Sequence, residues 1–285
     1  MNNSITEIIT KRKSIRNFDK NNIDKNTMKI INDYIKDENN YKGPLNKKVK
    51  IKVVDIESDK TEKGIKLGTY GVIKNPNRYI AAVSKKDKES LIELGFIFEK
   101  LVLFLTENGI GTCWLGGTFK RSAFAEELVL DDDEIIPIVT PIGYPKEKPG
   151  LTGSLVRYIA KSDTRKKFEE LFYYDDFANK LNETDSEGYK IPLEMVRLAP
   201  SASNKQPWRV VLSKDKQELY FYLHRDVKYA GNKMGFEMQY IDMGIAMSHF
   251  ELSAKETNIK GNWGFNDPKI DTENTSLEYI ATWKI

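Results

Sequence analysis

The chain has 285 residues, of which 40% are hydrophobic and 31% charged. This composition excludes wholesale disorder and is typical of a folded protein large enough to bury a sizeable core. Its 45 basic and 42 acidic residues leave a formal net charge of +3, which is too balanced for general binding to nucleic acid, so any anion-binding site must be local.

The cysteine content and the apolar runs bear on the compartment. Cys113 is the single cysteine, so no internal disulfide can form and a reducing compartment is expected. Residues 1–13 contain no apolar run of signal-peptide length, and the longest strongly apolar run, residues 101–105, is far too short to span a bilayer. We therefore expect a cytoplasmic protein without a membrane partner.

Helix and strand signals follow one another along the first half of the chain. Ser4 and Glu7 form a predicted capping box, and Asp24 is the predicted N-cap of a second helix. The hydrophobic patterns predict strands over 49–56, 79–83 and 135–142, and a helix buried on most sides over 91–106.

The second half repeats this order after a Pro- and Gly-rich segment at 143–150. A polar stretch at 164–181 is predicted to be helical. The helix that contains Pro192 must end before Pro200. Further strands are predicted over 209–212, 219–224 and 277–283, and a long helix over 238–257. We divide the chain into interlocked domains, 1–150 and 151–285.

Matched residues suggest that the two halves are repeats. The same number of residues separates Gly95 from Gly244, at the start of the long helices, and Trp114 from Trp263, after their ends. A chance likeness of two buried helices is the alternative, but the shared offset favours an internal duplication. Such a chain is equivalent to a homodimer joined in one polypeptide, so we expect a monomer with two pseudo-symmetric lobes.

Three segments could bind a ligand. Residues 11–16, Lys-Arg-Lys-Ser-Ile-Arg, suit a phosphate, although a solvated basic patch would look the same. Residues 199–208, Ala-Pro-Ser-Ala-Ser-Asn-Lys-Gln-Pro-Trp, form a stiff polar loop that could bond the edge of a heterocycle or be an ordinary turn. Residues 109–117 contain four glycines that allow close approach of a ligand to the backbone.

Together these strings resemble the FMN-dependent nitroreductase family, in particular its single-chain branch known as "putative TM nitroreductase", over nearly the whole chain. The resemblance implies an α+β nitroreductase-like fold with helices around a mixed or antiparallel sheet. It also implies that FMN lies between the lobes, held by the basic segment of one and the polar loop of the other.

The resemblance assigns a role to each candidate residue. Arg12, Lys13 and Ser14 would hold the phosphate, with Arg165 and Lys167 as further candidates. Arg16 would lie near flavin N1 and O2, and Gly116 and Gly117 would turn backbone N–H groups to N5 and O4. The polar loop would contribute further contacts through Pro200, Ser201, Ser203 and Asn204. A short glycine loop at 68–71 would contribute Tyr70.

The departures from the family pattern predict one FMN for each chain. The first half has Tyr-Lys-Gly-Pro-Leu-Asn at 41–46 in place of the polar loop, and the second half lacks the Arg-x-Ser-x-Arg pattern. Each lobe therefore keeps only the half-site that the other has lost.

The implied chemistry is that of the flavin, without a catalytic side chain. NADH or NADPH would reduce FMN, and a small nitro, quinone or similar acceptor would then take the electrons in a ping-pong scheme. The alternatives are a flavin carrier or sensor without turnover, or a structural protein with an empty site. No metal site is expected, because His224 and His249 lie far apart without ligand spacing; His249 and Cys113 are interpreted as core residues.

Overall fold

A computed structural model describes residues 3–55, 73–125, 127–146, 164–226, 234–272 and 276–285. The helices are α1 (Ile5–Lys11), α2 (Lys25–Lys36), α3 (Lys88–Glu107), α4 (Arg121–Ala125), α5 (Lys190–Leu198) and α6 (Met238–Glu256). The strands are β1 (Lys50–Asp55), β2 (Arg78–Lys85), β3 (Gly111–Thr112), β4 (Glu134–Gly143), β5 (Phe172–Tyr174), β6 (Asp176–Lys180), β7 (Trp208–Leu212), β8 (Glu218–His224), β9 (Asn262–Gly264) and β10 (Leu277–Lys284). Short 3₁₀ helices span Glu38–Tyr41, Phe168–Glu170, Glu187–Tyr189 and Ala202–Asn204.

The two sheets repeat one strand order. The first sheet is β1-β2-β4-β3, and the second contains β7-β8-β10-β9, with all these neighbours antiparallel. The long helices occupy equivalent places in the chain: α3 lies between β2 and β3, and α6 lies between β8 and β9. The second sheet carries β5 and β6 as additional strands at its edge. This shared connectivity is what an internal duplication predicts.

The long helices α3 and α6 cross in close contact at the centre of the molecule. A Cβ added to Gly95 would lie 2.2 Å from the carbonyl oxygen of Ile241, and one added to Gly244 would lie 2.0 Å from that of Ile92. Only glycine allows the two backbones to approach so closely.

One hydrophobic core joins both halves. Ile80 and Leu101 from the first half lie in the same buried cluster as Val210 and Phe250 from the second. The lobes are therefore packed as one unit. The predicted boundary between 150 and 151 lies outside the described residues.

The helix starts agree with the capping signals in part. The Ser4 hydroxyl accepts the N–H of Glu7, and the Asp24 carboxylate accepts the N–H groups at the start of α2. The Glu7 carboxylate pairs with Lys11 instead of closing the capping box, and Glu256 accepts the N–H of Ile5.

The helix predicted over 164–181 is wrong. This stretch contains the 3₁₀ helix Phe168–Glu170 and the strands β5 and β6. Phe172 and Phe168 are buried, and β5 pairs in parallel with the fully buried β7. Strand pairing in the folded protein has therefore overridden the local helix propensity of the segment 164–181.

Candidate functional site

A cavity lies between the two halves of the chain and is lined by both. The first half contributes the segment after α1 and the turn after β3, and the second half contributes the polar loop and the first turns of α6. Its lining residues are Arg12, Ser14, Arg16, Trp114, Gly116, Gly117, Thr118, Ile138, Arg165, Pro200, Ser201, Ala202, Ser203, Asn204, Met238, Ile241, Asp242 and Ile245. Most of the predicted flavin contacts are thus brought together.

The basic segment is held in an extended conformation beside β3. The N–H of Ile15 donates to the Thr112 carbonyl over 2.7 Å, and the Arg16 carbonyl accepts the N–H of Lys74 over 2.8 Å. Side chains alternate in direction along extended backbone. Arg12, Ser14 and Arg16 accordingly line the cavity, whereas Lys13 is exposed and lies outside the lining.

Two arginine donors in this segment are buried without a hydrogen-bond partner among the residues described, although Arg12 Nε lies 3.9 Å from a Glu99 carboxylate oxygen. Arg12 Nε and Arg16 Nη1 have no hydrogen-bond acceptor within the described part of the chain. Leaving a buried charged donor unpaired is unfavourable. The donor set therefore suits an anionic ligand rich in acceptor oxygens, such as a phosphate ester.

The polar loop is made rigid by its own hydrogen bonds. The N–H of Gln206 donates to Ser201 Oγ over 2.8 Å, and the Asn204 side chain donates to the Thr164 carbonyl over 2.9 Å. Ser203, Asn204 and Gln206 have φ of 49°, 56° and 49°, a left-handed conformation that side chains other than glycine adopt at a cost. The loop thus presents its polar groups in one arrangement.

The two basic candidates at positions 165 and 167 differ in their surroundings. Arg165 lines the cavity, and its guanidinium donates to the Leu198 carbonyl over 3.1 Å and to Asn204 Oδ1 over 3.3 Å. Lys167 is exposed, and its backbone N–H donates to Glu170 at the start of a 3₁₀ helix. Tyr70 lies outside the described residues.

The glycine turn packs against the second half of the chain. A Cβ added to Gly116 would lie 2.2 Å from the Met238 Cε, and the Gly116 carbonyl accepts a hydrogen bond from Arg121 over 2.6 Å. A side chain at position 116 would therefore have to displace the end of the Met238 side chain, and both Gly116 and Gly117 lie at the cavity wall.

Asp242 is a site residue that the sequence reasoning missed. It lies on α6 at 2% exposure, and one carboxyl oxygen accepts the N–H of Ala202 over 2.9 Å. The other oxygen has no hydrogen-bond partner among the residues described. Burial raises the pKa of Asp242 well above its usual range, which favours a neutral carboxyl at the cavity wall. An acid within the otherwise apolar run at 241–247 is the signal that could have identified it.

Further lining residues were also missed, one of them the polar Thr118. The others are aromatic or apolar, namely Trp114, Ile138, Ala202, Met238, Ile241 and Ile245. Their hydrophobic character predicted only burial in the core. In the structure they supply apolar walls beside the arginines, the combination that small-molecule and cofactor sites commonly show.

The described residues contain no group of three or more His, Cys, Asp or Glu side chains placed to hold a metal ion. None of the helices found in those same ranges combines the length and the apolar character that a membrane crossing requires.

Comparison with known proteins agrees with this architecture. No curated protein matches the chain. A crystal structure described as a putative nitroreductase from Thermotoga maritima MSB8 is 21% identical, with a TM-score of 0.62 over 100% of this chain and 94% of that one. That likeness shows the nitroreductase-like fold, with its helices and mixed sheets.

Two further solved structures match parts of the chain. A nitroreductase family protein from Clostridium novyi NT is 27% identical over 62% of this chain and 96% of its own, with a TM-score of 0.38. An FMN-dependent nitroreductase from Clostridium difficile R20291 is 19% identical over 50% and 87%, with a TM-score of 0.37. The family model described as "Putative TM nitroreductase" matches residues 4–254. Because that match covers nearly the whole chain, the protein belongs to this nitroreductase family.

Proposed function

We propose that the protein is an FMN-dependent oxidoreductase that accepts electrons from NADH or NADPH and reduces a small nitro, quinone or similar compound. The observation that carries this proposal is the meeting of the basic segment and the polar loop at one cavity, where Arg12 and Arg16 each keep a donor without a hydrogen-bond partner among the described residues. Family membership supports a general oxidoreductase activity.

The lining residues suit the roles expected of them. Arg12, Ser14 and Arg165 would hold the phosphate, with Lys13 and Lys167 able to contribute only from the exposed rim. Arg16 would place a positive charge at the N1 and O2 edge of the flavin.

Two further groups of lining residues complete this arrangement. Gly116 and Gly117 would turn backbone N–H groups to N5 and O4, and the loop from Pro200 to Asn204 would close the opposite side. The apolar walls would exclude water from the ring.

Bound FMN would supply hydride and electron transfer, while the chain would provide binding and electrostatics. A guanidinium at N1 and O2 stabilises the negative charge that collects there on reduction. The electron donor and the electron acceptor would occupy the same face of the flavin in turn, which would give ping-pong kinetics. No side-chain nucleophile is needed.

We infer one FMN for each chain and a functional monomer. A second cleft lies where the repeat would place the other site, with Trp263 and Phe96 at the positions that correspond to Trp114 and Ile245. Its loop is Lys42-Gly43-Pro44, without the hydroxyl and amide groups of the polar loop. Because one chain supplies both halves of the complete site, a single copy is sufficient.

An anaerobic titration of the FMN-loaded protein with NADH and with NADPH tests the function. We expect loss of the flavin absorbance at about one equivalent of one of these donors and its return on addition of a nitroaromatic or quinone. Dithionite serves as the control that the bound flavin can be reduced. Reduction by dithionite but by neither nicotinamide would support a carrier or sensor, and failure to bind FMN would overturn the cofactor assignment.

A further inference from the structure

A buried hydrogen-bonded group joins the two long helices beneath the cavity. Glu99 on α3 and His249 on α6 are both 0% exposed. His249 Nε2 lies 2.9 Å from Glu99 Oε1, and His249 Nδ1 lies 2.8 Å from the carbonyl oxygen of Met195. The indole N–H of Trp114 donates to Glu99 Oε2 over 2.9 Å.

The partners of the imidazole fix the number of protons in this group. A backbone carbonyl can only accept, so His249 Nδ1 must carry a hydrogen. An ionised carboxylate also only accepts, whereas a neutral imidazole has a single N–H. The contact between His249 and Glu99 therefore needs one proton more than a neutral imidazole and a carboxylate contain.

The neighbouring charges place that proton on the imidazole. Arg12 Nε lies 3.9 Å from the same Glu99 Oε1, and its side chain is only 6% exposed. The Arg12 cation and the Trp114 N–H both stabilise an ionised Glu99. His249 is then an imidazolium, so two positive groups oppose one negative group and leave one net positive charge.

The other polar groups around this cluster leave its charge uncancelled. Burial raises the pKa of the Cys113 thiol, although Arg16 and Arg12 oppose that effect. Burial also raises the pKa of Asp242, which precedes His249 on α6. Both groups are therefore favoured in their neutral forms, and α5 contributes the Met195 carbonyl, an uncharged acceptor. Arg16 adds a further cation from the basic segment.

We propose that Glu99 and His249 are positioning residues that hold an additional proton beneath the site, so that the cluster presents one net positive charge to the bound FMN. The link to the ligand is direct, because Arg12 and Trp114 belong both to this cluster and to the cavity lining. The inference rests on the proposed FMN site. It adds that full FMN affinity requires this proton.

The matched variant is Glu99→Gln. A glutamine can accept the Trp114 N–H through its carbonyl and donate its amide N–H to a neutral His249 Nε2. The hydrogen-bond pattern and the net charge of one are kept without the additional proton. The contrasting variant is His249→Gln, whose amide N–H groups can donate to Glu99 and to the Met195 carbonyl but carry no charge. FMN dissociation constants are measured by flavin fluorescence for the wild type and both variants at a single pH.

We expect Glu99→Gln to keep the wild-type FMN affinity, because the charge near the ligand is unchanged. His249→Gln should bind FMN about tenfold more weakly, because a positive charge near the ligand is lost. Equal affinities of all three proteins, or equal losses in the two variants, would overturn the proposal.

A second measurement needs neither the variant at Glu99 nor bound FMN. The chain has two histidines, so His224→Gln leaves His249 as the one imidazole in a ¹⁵N NMR spectrum. We expect both ring nitrogens to carry hydrogens, because each faces an oxygen that can only accept. A ring with one protonated nitrogen would overturn the imidazolium assignment. Absence of FMN binding with a doubly protonated ring would instead contradict the proposed function.

Discussion

Gly95 and Gly244 each pack against the backbone of the helix that carries the other. The carbonyl that approaches Gly95 belongs to Ile241, and the carbonyl that approaches Gly244 belongs to Ile92. In both directions the contact is with the residue three positions before the opposite glycine. The crossing of α3 and α6 thus has an approximate twofold relationship, as in the interface of a symmetric dimer.

This crossing predicts a large loss of stability on substitution of Gly244 by alanine. The added methyl group would lie far inside the contact distance of the Ile92 backbone, so the helices must separate. We expect the free energy of unfolding to fall by about 3 kcal/mol or more, measured by urea denaturation. Gly95→Ala should have a similar effect.

Gly188→Ala is the control, because an added methyl group there meets nothing within 4 Å. Its unfolding free energy should change by no more than about 0.5 kcal/mol or rise slightly. Equal stability of the Gly188 and Gly244 variants would show that the close helix crossing does not form.

The long periodic elements could be predicted from the sequence. Helix α3 and strand β4 follow from largely apolar segments of the sequence, which specify burial whatever the partner is. Strand β5 could not be predicted in the same way. Phe172 is placed in a strand by its pairing with Val210 of β7, and no local pattern encodes that contact.

The candidate site, like the fold, could be predicted only in part from the sequence. The basic segment and the polar loop were identified by their residue types, but the direction of each side chain depends on the extended backbone beside β3. That conformation separates Lys13 from Arg12 and Ser14. Asp242 escaped prediction because its partner, the N–H of Ala202, is 40 residues away along the chain.

The repeated topology with two unequal clefts predicts one FMN for each chain. The purified protein, saturated with FMN and freed of excess by gel filtration, should contain about one flavin per polypeptide. Flavin absorbance after release from the protein, set against protein concentration from amino-acid analysis, gives the ratio. A ratio near two would show that the cleft at Lys42–Pro44 also binds FMN.

Arg16→Ala should make bound FMN harder to reduce. Loss of a charge-assisted hydrogen bond of about 1.5–3 kcal/mol to the reduced flavin corresponds to a two-electron potential about 30–60 mV more negative. The rate of reduction by NAD(P)H should fall in parallel. Lys13→Ala removes an exposed cation from the same segment and should leave the potential unchanged; an equal shift in both variants would remove the assigned role of Arg16.

Asp242→Asn should stabilise the protein at neutral pH. Burial raises the pKa of Asp242 above its usual 3.8, so above that pH the unfolded chain ionises more readily than the folded one and stability is lost. Asparagine keeps the acceptor for Ala202 without this cost. At fixed FMN concentration, the urea midpoint of the variant should exceed that of the wild type most near pH 7. The two midpoints should converge towards about pH 4. Asp215→Asn is a control with the opposite expected sign, because a hydrogen bond from Ser213 lowers the pKa of Asp215. This variant should be less stable than the wild type at neutral pH, and the difference in stability should shrink as the pH falls.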